Sequence, residues 1–429
     1  MITVLIIIGA ALLFFALIMA SIALHEVGHM VPAKLFGVKV TQYFVGFGKT
    51  LWSRRRGETE YGFKAIPLGG YVRLVGMYPP GKPHPGKVGP VTRLADMARE
   101  FEYEDITPAD DGRLFHQKKT WQKLIIMAGG PAMNVLLAFL IIGGVNAIHG
   151  QYRPQLTVEQ VSECVVPLAR ATRTCQPGDP RTPAAIMGFK PGDRVVSFNG
   201  HQPKTWDEFS SLIRDNRGAA ATVVVHRNGQ DVTLPTTPTV VTGVRDKLNP
   251  SRTIEAGFLG VTPTYQQVRG GPLTTTQDMW LMTKQSVVGL MNFPVKVWNV
   301  AADMITGKPR DANGPMSIVG ASRAAGEIAA TDRLPLGERI AGWFMLLGSV
   351  NLFVALFNLV PLTPLDGGHM AGALYEGARR RLAKLLGRPD PGHFDTAKLL
   401  PVAYGVGAFL VVSGAVLVVA DIFSPVKLF

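Results

Sequence analysis

The chain has 429 residues, 47% of them hydrophobic and only 17% charged, with a positive mean hydropathy. That balance argues against an ordinary soluble chain and for a membrane protein carrying soluble parts. The net charge of +13 would suggest nucleic acid as the partner of a soluble protein, but here the basic residues sort by topology and no nucleic-acid ligand is expected.

Four runs are long and apolar enough to span hydrocarbon, which takes roughly 20 residues. They are Met1 to Leu24, Leu124 to Ile148, Ile340 to Leu365 and Leu399 to Ala420, and none holds Asp, Glu, Lys or Arg. The first run lacks a basic leader and a small-x-small exit before Ser21, so it reads as a retained span rather than a signal peptide. At its end stands His25-Glu26-Val27-Gly28-His29. Two imidazoles four apart on one helical face can bind one Zn²⁺, with the intervening Glu placed to act on water. Its place at membrane depth gives the pentapeptide weight, because ionisable groups there are expensive and rarely kept without a role. Region 1–37 is expected to be span 1 with this motif, its helix ending near Gly37.

Region 38–77 is β-branched, aromatic and Gly-punctuated, from Val38 to Phe47 and again from Tyr61 to Leu74. It is expected to be a membrane-associated β-hairpin region. An ordinary small sheet and a strand edge that pairs with an unwound substrate are both compatible with it. Region 78–120 is Pro-, Gly- and acid-rich (Pro79-Pro80, Asp105, Asp110-Asp111) and reads as a mobile cytoplasmic insert. Region 121–149 is span 2, where Gly129-Gly130 permit close helix approach. Asn134 within it serves either an interhelical hydrogen bond or a substrate contact.

Region 150–262 has the size and rhythm of a PDZ-like α/β domain. Thr222 to Gly229 reads as a hairpin and Trp206 to Arg214 as a short amphipathic helix. Such a domain receives a peptide C-terminus or strand by β-augmentation. Cys164 and Cys175 fall here; a disulfide suits an oxidising compartment, and two free thiols are the other reading. Region 263–339 alternates Trp280, Met282, Leu290 and Trp298 with Lys284, Lys296 and Asp303. It reads as amphipathic helices on the membrane surface, with a core helix pair as the rival.

Region 340–370 is span 3, ending in Asn358-Leu359-Val360-Pro361-Leu362-Thr363-Pro364-Leu365-Asp366-Gly367-Gly368-His369. Spans 1 and 3 run in the same direction, so their ends meet at one leaflet and Asp366 reaches the depth of His25 and His29. A catalytic zinc needs three protein ligands. Asp366, on a segment broken by Pro361 and Pro364, is the expected third; His369 competes, and a helix cap is the bland alternative. Region 371–398 is a basic connection with Arg379-Arg380-Arg381, and 399–423 is span 4. The 84 residues from Gly37 to Thr120 carry 14 Lys/Arg, whereas the C-terminal tail has only Lys427. The positive-inside rule therefore places both basic connections in the cytoplasm, with both termini and 150–339 outside.

His25-Glu26-x-x-His29, Gly130-Pro131-x-x-Asn134 and Asn358-x-x-Pro361-x-x-Pro364-Leu365-Asp366-Gly367 together resemble the site-2 protease family of intramembrane zinc metalloproteases. The bacterial regulator-of-sigma-E-protease type is the nearest group. The resemblance extends to Gly46-Phe47-Gly48, Pro67-Leu68-Gly69-Gly70-Tyr71-Val72 and Gly314-Pro315-Met316-Ser317-Ile318, and is weakest at Tyr78 to Gln117 and around the cysteines. It implies an endopeptidase with Zn²⁺ on His25, His29 and Asp366 and with Glu26 as the base. It further implies substrate contacts from Asn134 or Asn358 and edge pairing near Gly46, Gly48, Gly70 and Tyr71. The implied substrates are single-span proteins already shortened outside, typically anti-sigma factors, in a bacterial inner membrane, with the site toward the cytoplasmic leaflet. The chain shows one PDZ-like domain where some relatives have two. A membrane-anchored PDZ scaffold with a degenerate metal site is the alternative, disfavoured by the intact His, His, Asp and Glu set. A transporter would call for an inverted repeat, which four spans do not offer.

Overall fold

The computed structural model describes residues 2–81, 89–103, 106–168, 170, 172, 174–249, 252–311 and 313–426; Met1, Asp105 and Lys427, named above, lie outside these. The chain forms two compact units, one of residues 1–144 and 275–429, the other of residues 145–274.

The larger unit begins with α1 (Ile2–Leu35), which carries the HEVGH motif in its last third. Then come β1 (Val40–Arg56) and β2 (Thr59–Leu74), two strands that bend and pair twice. Val40 to Val45 pair on one side with Gly70 to Leu74 and on the other with Glu60 to Phe63, while Thr50 to Arg56 pair with Thr59 to Lys64. The result is a four-ribbon antiparallel patch whose outer ribbon, Gly70 to Leu74, has one edge left over. The bends fall at Gly46 and Gly69, with φ of 92° and 117°, backbone that side chains with a Cβ rarely adopt. Tyr43 donates its hydroxyl to the Ala23 carbonyl at 2.8 Å and ties the patch to α1.

Region 78–120 departs from the expected loop. It holds α2 (Pro90–Tyr103), whose fully buried Ala95 packs with Ala397 and Leu400. Leu94, Ala95 and Ala98 line one face, but the surface that covers them is some 300 residues away, so nothing local announces the helix. α3 (Thr120–Ile148) follows.

The smaller unit holds β3 (Gln151–Val161), α4 (Pro183–Met187), β4 (Arg194–Phe198), α5 (Trp206–Asn216), β5 (Ala220–Ala221), β6 (Val223–Arg227), β7 (Gln230–Thr233), β8 (Thr237–Pro238), β9 (Val240–Arg245), β10 (Thr253–Phe258) and β11 (Val261–Val268). Its main sheet runs β11-β3-β4-β6-β7, and β9-β10 and β5-β8 form two small sheets. Val158, Val195, Phe198, Phe209, Val223 and Val225 make its core. Cys164 and Cys175 are disulfide-bonded. β11 joins the sheet, so this unit runs past the expected limit at residue 262.

The chain then returns to the larger unit with α6 (Pro272–Met291), α7 (Phe293–Thr306), α8 (Ile318–Ala330), α9 (Leu336–Asn358), α10 (Asp366–Leu385) and α11 (Leu400–Phe423). α6 and α7 leave Trp280, Trp298 and Ile305 exposed. α8 is a correction to the expected surface helices of 263–339. Its Ala321 and Ala325 are buried against Phe14 and Ile18 of α1 and Trp343 and Leu347 of α9. Small residues let it pack closely, which a period-based reading of bulky apolar residues overlooks. α10 starts at Asp366 and runs to Leu385, through about half of the expected connection 371–398. Four helical stretches, 2–35, 120–148, 336–358 and 396–423, are long and apolar enough to cross a membrane.

Candidate metal centre

α1 and α3 cross almost backbone to backbone. A Cβ at Gly28 would lie 2.3 Å from the Gly129 carbonyl oxygen, and one at Gly129 2.0 Å from that of Gly28. No residue but glycine fits either position. The crossing brings Gly130 directly under the two imidazoles, and its missing side chain leaves them room: a Cβ there would meet His29 Nε2 at 2.2 Å and His25 Nε2 at 2.6 Å.

His25 and His29 are buried, one turn apart on α1, with their Nε2 atoms 3.2 Å apart. α9 ends at Asn358, residues 359–365 turn, and α10 opens with Asp366 as its first residue. Its Oδ2 lies 3.4 Å from His25 Nε2 and 3.3 Å from His29 Nε2. The three ligand atoms all fall within 4.8 Å of one another, the one such group found among the described residues. His369 is not part of it, and Leu365, not Asp366, is the N-cap of α10.

The chemistry of this set fits zinc. His29 Nδ1 lies 2.8 Å from the Ile126 carbonyl, which can only accept, so that nitrogen carries the proton and the Nε2 lone pair faces the cluster. Buried Asp366 Oδ2 has no hydrogen-bond partner. Lone pairs converging at such distances repel unless a cation lies among them, and two imidazoles with one carboxylate are the ligands of a catalytic zinc site.

Glu26 faces a cavity of 440 Å³ that His25, His29, Asp366, Gly70, Tyr71 and Asn358 also line. Its Cγ would stand 3.3 Å from a Cβ at Gly70, and Val72 lines the same cavity. The leftover edge of the Gly70 to Leu74 ribbon thus borders the cavity beside Glu26. Of the other expected contacts, Gly46 and Gly48 sit at the bend of β1 and not on the cavity wall. Asn134 is buried one turn past Gly130, with Oδ1 unpartnered, and does not line the cavity either. Sequence reasoning missed Ile126, Val72 and Met127. A carbonyl carries no residue signature, and Val72 and Met127 read as ordinary apolar residues of a strand and a span.

A sequence profile of peptidase family M50 matches residues 13–387. The zinc metalloprotease Rip1 of Mycobacterium tuberculosis is 32% identical over 433 residues, covering 97% of this chain and 98% of the relative. The metalloprotease MmpA of Caulobacter vibrioides is 27% identical over 377 residues, covering 84% of each chain.

Proposed function

The chain belongs to peptidase family M50, and from that premise we propose that it cuts peptide bonds within the membrane-spanning segments of ectodomain-truncated single-span proteins such as anti-sigma factors. It is a zinc metalloendopeptidase and a multi-pass membrane protein. The observation that carries the finer reading is the meeting of His25, His29 and Asp366 in one buried cluster beside Glu26 and a leftover strand edge.

In this reading His25, His29 and Asp366 hold the metal. A zinc ion bound there would supply Lewis-acid chemistry toward the scissile carbonyl and the attacking water. Glu26, held against Gly70, accepts the proton of the attacking water and returns it to the leaving amine. A helical substrate hides its carbonyls in i→i−4 bonds and must unwind locally. The Gly70 to Leu74 edge offers the unwound segment the main-chain partners it has lost. Asn358, on the cavity wall, is the better placed asparagine to meet the carbonyl oxygen as it gains charge.

The 14 Lys/Arg between Gly37 and Thr120 favour a bacterial inner-membrane topology with the site toward the cytoplasmic leaflet and both termini outside. We read the unit from β3 to β11, residues 151–268, as PDZ-like. Supporting this, a groove of 610 Å³ runs between Trp206 and Ile213 of α5 and the turn Phe258 to Val261, which suits a peptide C-terminus or strand. Its role would be to exclude proteins with intact ectodomains.

The test uses detergent-purified protein and Glu26→Gln, with zinc content and cleavage of a truncated single-span substrate measured side by side. Zinc in both and cleavage only by the parent is expected. Cleavage by Glu26→Gln removes Glu26 as the base, and a chain without zinc removes the His25, His29 and Asp366 site.

A further inference from the structure

The cavity at the metal cluster does not end at His369. A second chamber of 720 Å³ shares Tyr71, Val72, Leu74, Met77 and His369 with it, so the two adjoin along the Gly70 to Leu74 ribbon. Its far wall is α2, through Leu94, Met97 and Ala98, and the start of α11, through Leu400 and Tyr404. This is the insert whose composition suggested only a solvated loop.

α2 is fixed in place at several points. The Glu102 carboxylate, 9% exposed, accepts the backbone N–H groups of Met77 and Tyr78, the latter at 3.1 Å. Arg99, 7% exposed, donates to the Pro79 carbonyl at 3.1 Å, to Asp96 at 2.6 Å and to Asp395 at 2.5 Å. Charge-assisted bonds from buried groups define a position more sharply than apolar contact does. Glu102 therefore joins α2 to the chain just beyond the leftover edge, and Arg99 joins it to the segment before α11.

An extended peptide paired with that edge advances about 3.4 Å per residue with side chains alternating between faces. From Glu26 to Met77 it would place residues roughly two to four positions from the cut beside the chamber. On the α2 side the wall is aliphatic and thioether, from Leu94, Met97 and Ala98, while Arg73, Glu102 and His369 contribute polar groups elsewhere. We infer that α2 is the outer wall of a substrate subsite that takes large apolar side chains flanking the cut. α2 thereby sets which unwound segments are accepted. The inference rests on the reading of the metal cavity as the site of peptide cleavage.

The chain has two cysteines, both in the disulfide, so an introduced one is unique among free thiols. Full-length Glu26→Gln protein carrying Ala98→Cys is mixed with a truncated single-span substrate scanned with single cysteines, and disulfide crosslinks are read. Crosslinks from Ala98→Cys confined to about two to four positions on one side of the cut are expected. Crosslinks from Tyr71→Cys but none from Ala98→Cys overturn the subsite and leave the cleavage reading intact. None from either overturns both. In the active enzyme, Ala98→Trp should lower kcat/KM about tenfold for substrates with Leu or Phe at those positions and much less for Ala. Met97→Ala, on an exposed position that folding tolerates, should widen acceptance; an unchanged profile in both variants sinks the inference.

Discussion

Gly130 holds the metal cluster by lacking a side chain. A Cβ 2.2 Å from His29 Nε2 has nowhere to go, since Gly28 and Gly129 already bring the helix backbones into contact. Gly130→Val should therefore push the imidazoles apart and weaken zinc binding about 10- to 100-fold, the range seen when groups supporting metal ligands are lost. Zinc content after dialysis against a graded chelator checks this; retained zinc would mean the helices can separate without cost to the cluster. At this scale the residues of the cluster were legible. Two histidines four apart at membrane depth and one aspartate on a broken segment are patterns that the chain displays. The supporting atom was not, because the Ile126 carbonyl that orients His29 belongs to a residue chosen for other reasons.

Buried ionic links between elements set their register. Lys123 of α3 and Glu376 of α10 lie 2.8 Å apart with side chains each only 4% exposed, and Glu376 also accepts the Phe394 N–H at 2.9 Å. Lys123→Met removes the nearest cation and leaves Arg380 at 3.7 Å and His393 at 3.3 Å, so it should cost less than the about 3–5 kcal/mol of a fully unpaired buried charge, and Lys123→Met with Glu376→Leu should cost less still. Thermal unfolding in detergent measures both, and equal losses would count against the pair. A second link joins the start of β1 to the stretch before α3. The Lys39 ammonium, with the N–H and hydroxyl of Thr107, holds the Asp110 carboxyl at about 2, below its ordinary 3.8. A depressed carboxyl contributes stability that is complete above its unfolded value and is lost as the pH falls through the folded one. The Tm gap between the parent and Asp110→Asn should thus narrow as the pH drops from about 6 to about 3. The helices whose partners are remote, α2 on Ala397 and α8 on α1, were the ones that sequence periodicity failed to reveal.

For the whole molecule, β3 and β11 pair with Gln151 opposite Val268, so the ends of the smaller unit lie side by side and a short linker can replace it. That excision should leave zinc bound and permit cleavage of unshortened substrates; unchanged discrimination would remove the filter role. The chain's own order of residues determined the four apolar spans, their charge asymmetry and the chemistry of His25, Glu26, His29 and Asp366, because hydrophobic length, charge and ligand type are properties of single segments. Only the tertiary structure decided that Asp366 rather than His369 joins the two imidazoles, that Asn358 rather than Asn134 borders the cavity, and that α2 walls a second chamber. Each of these depends on distances between segments far apart in the chain, fixed by glycine-tight helix crossings and buried ionic links that no local pattern encodes.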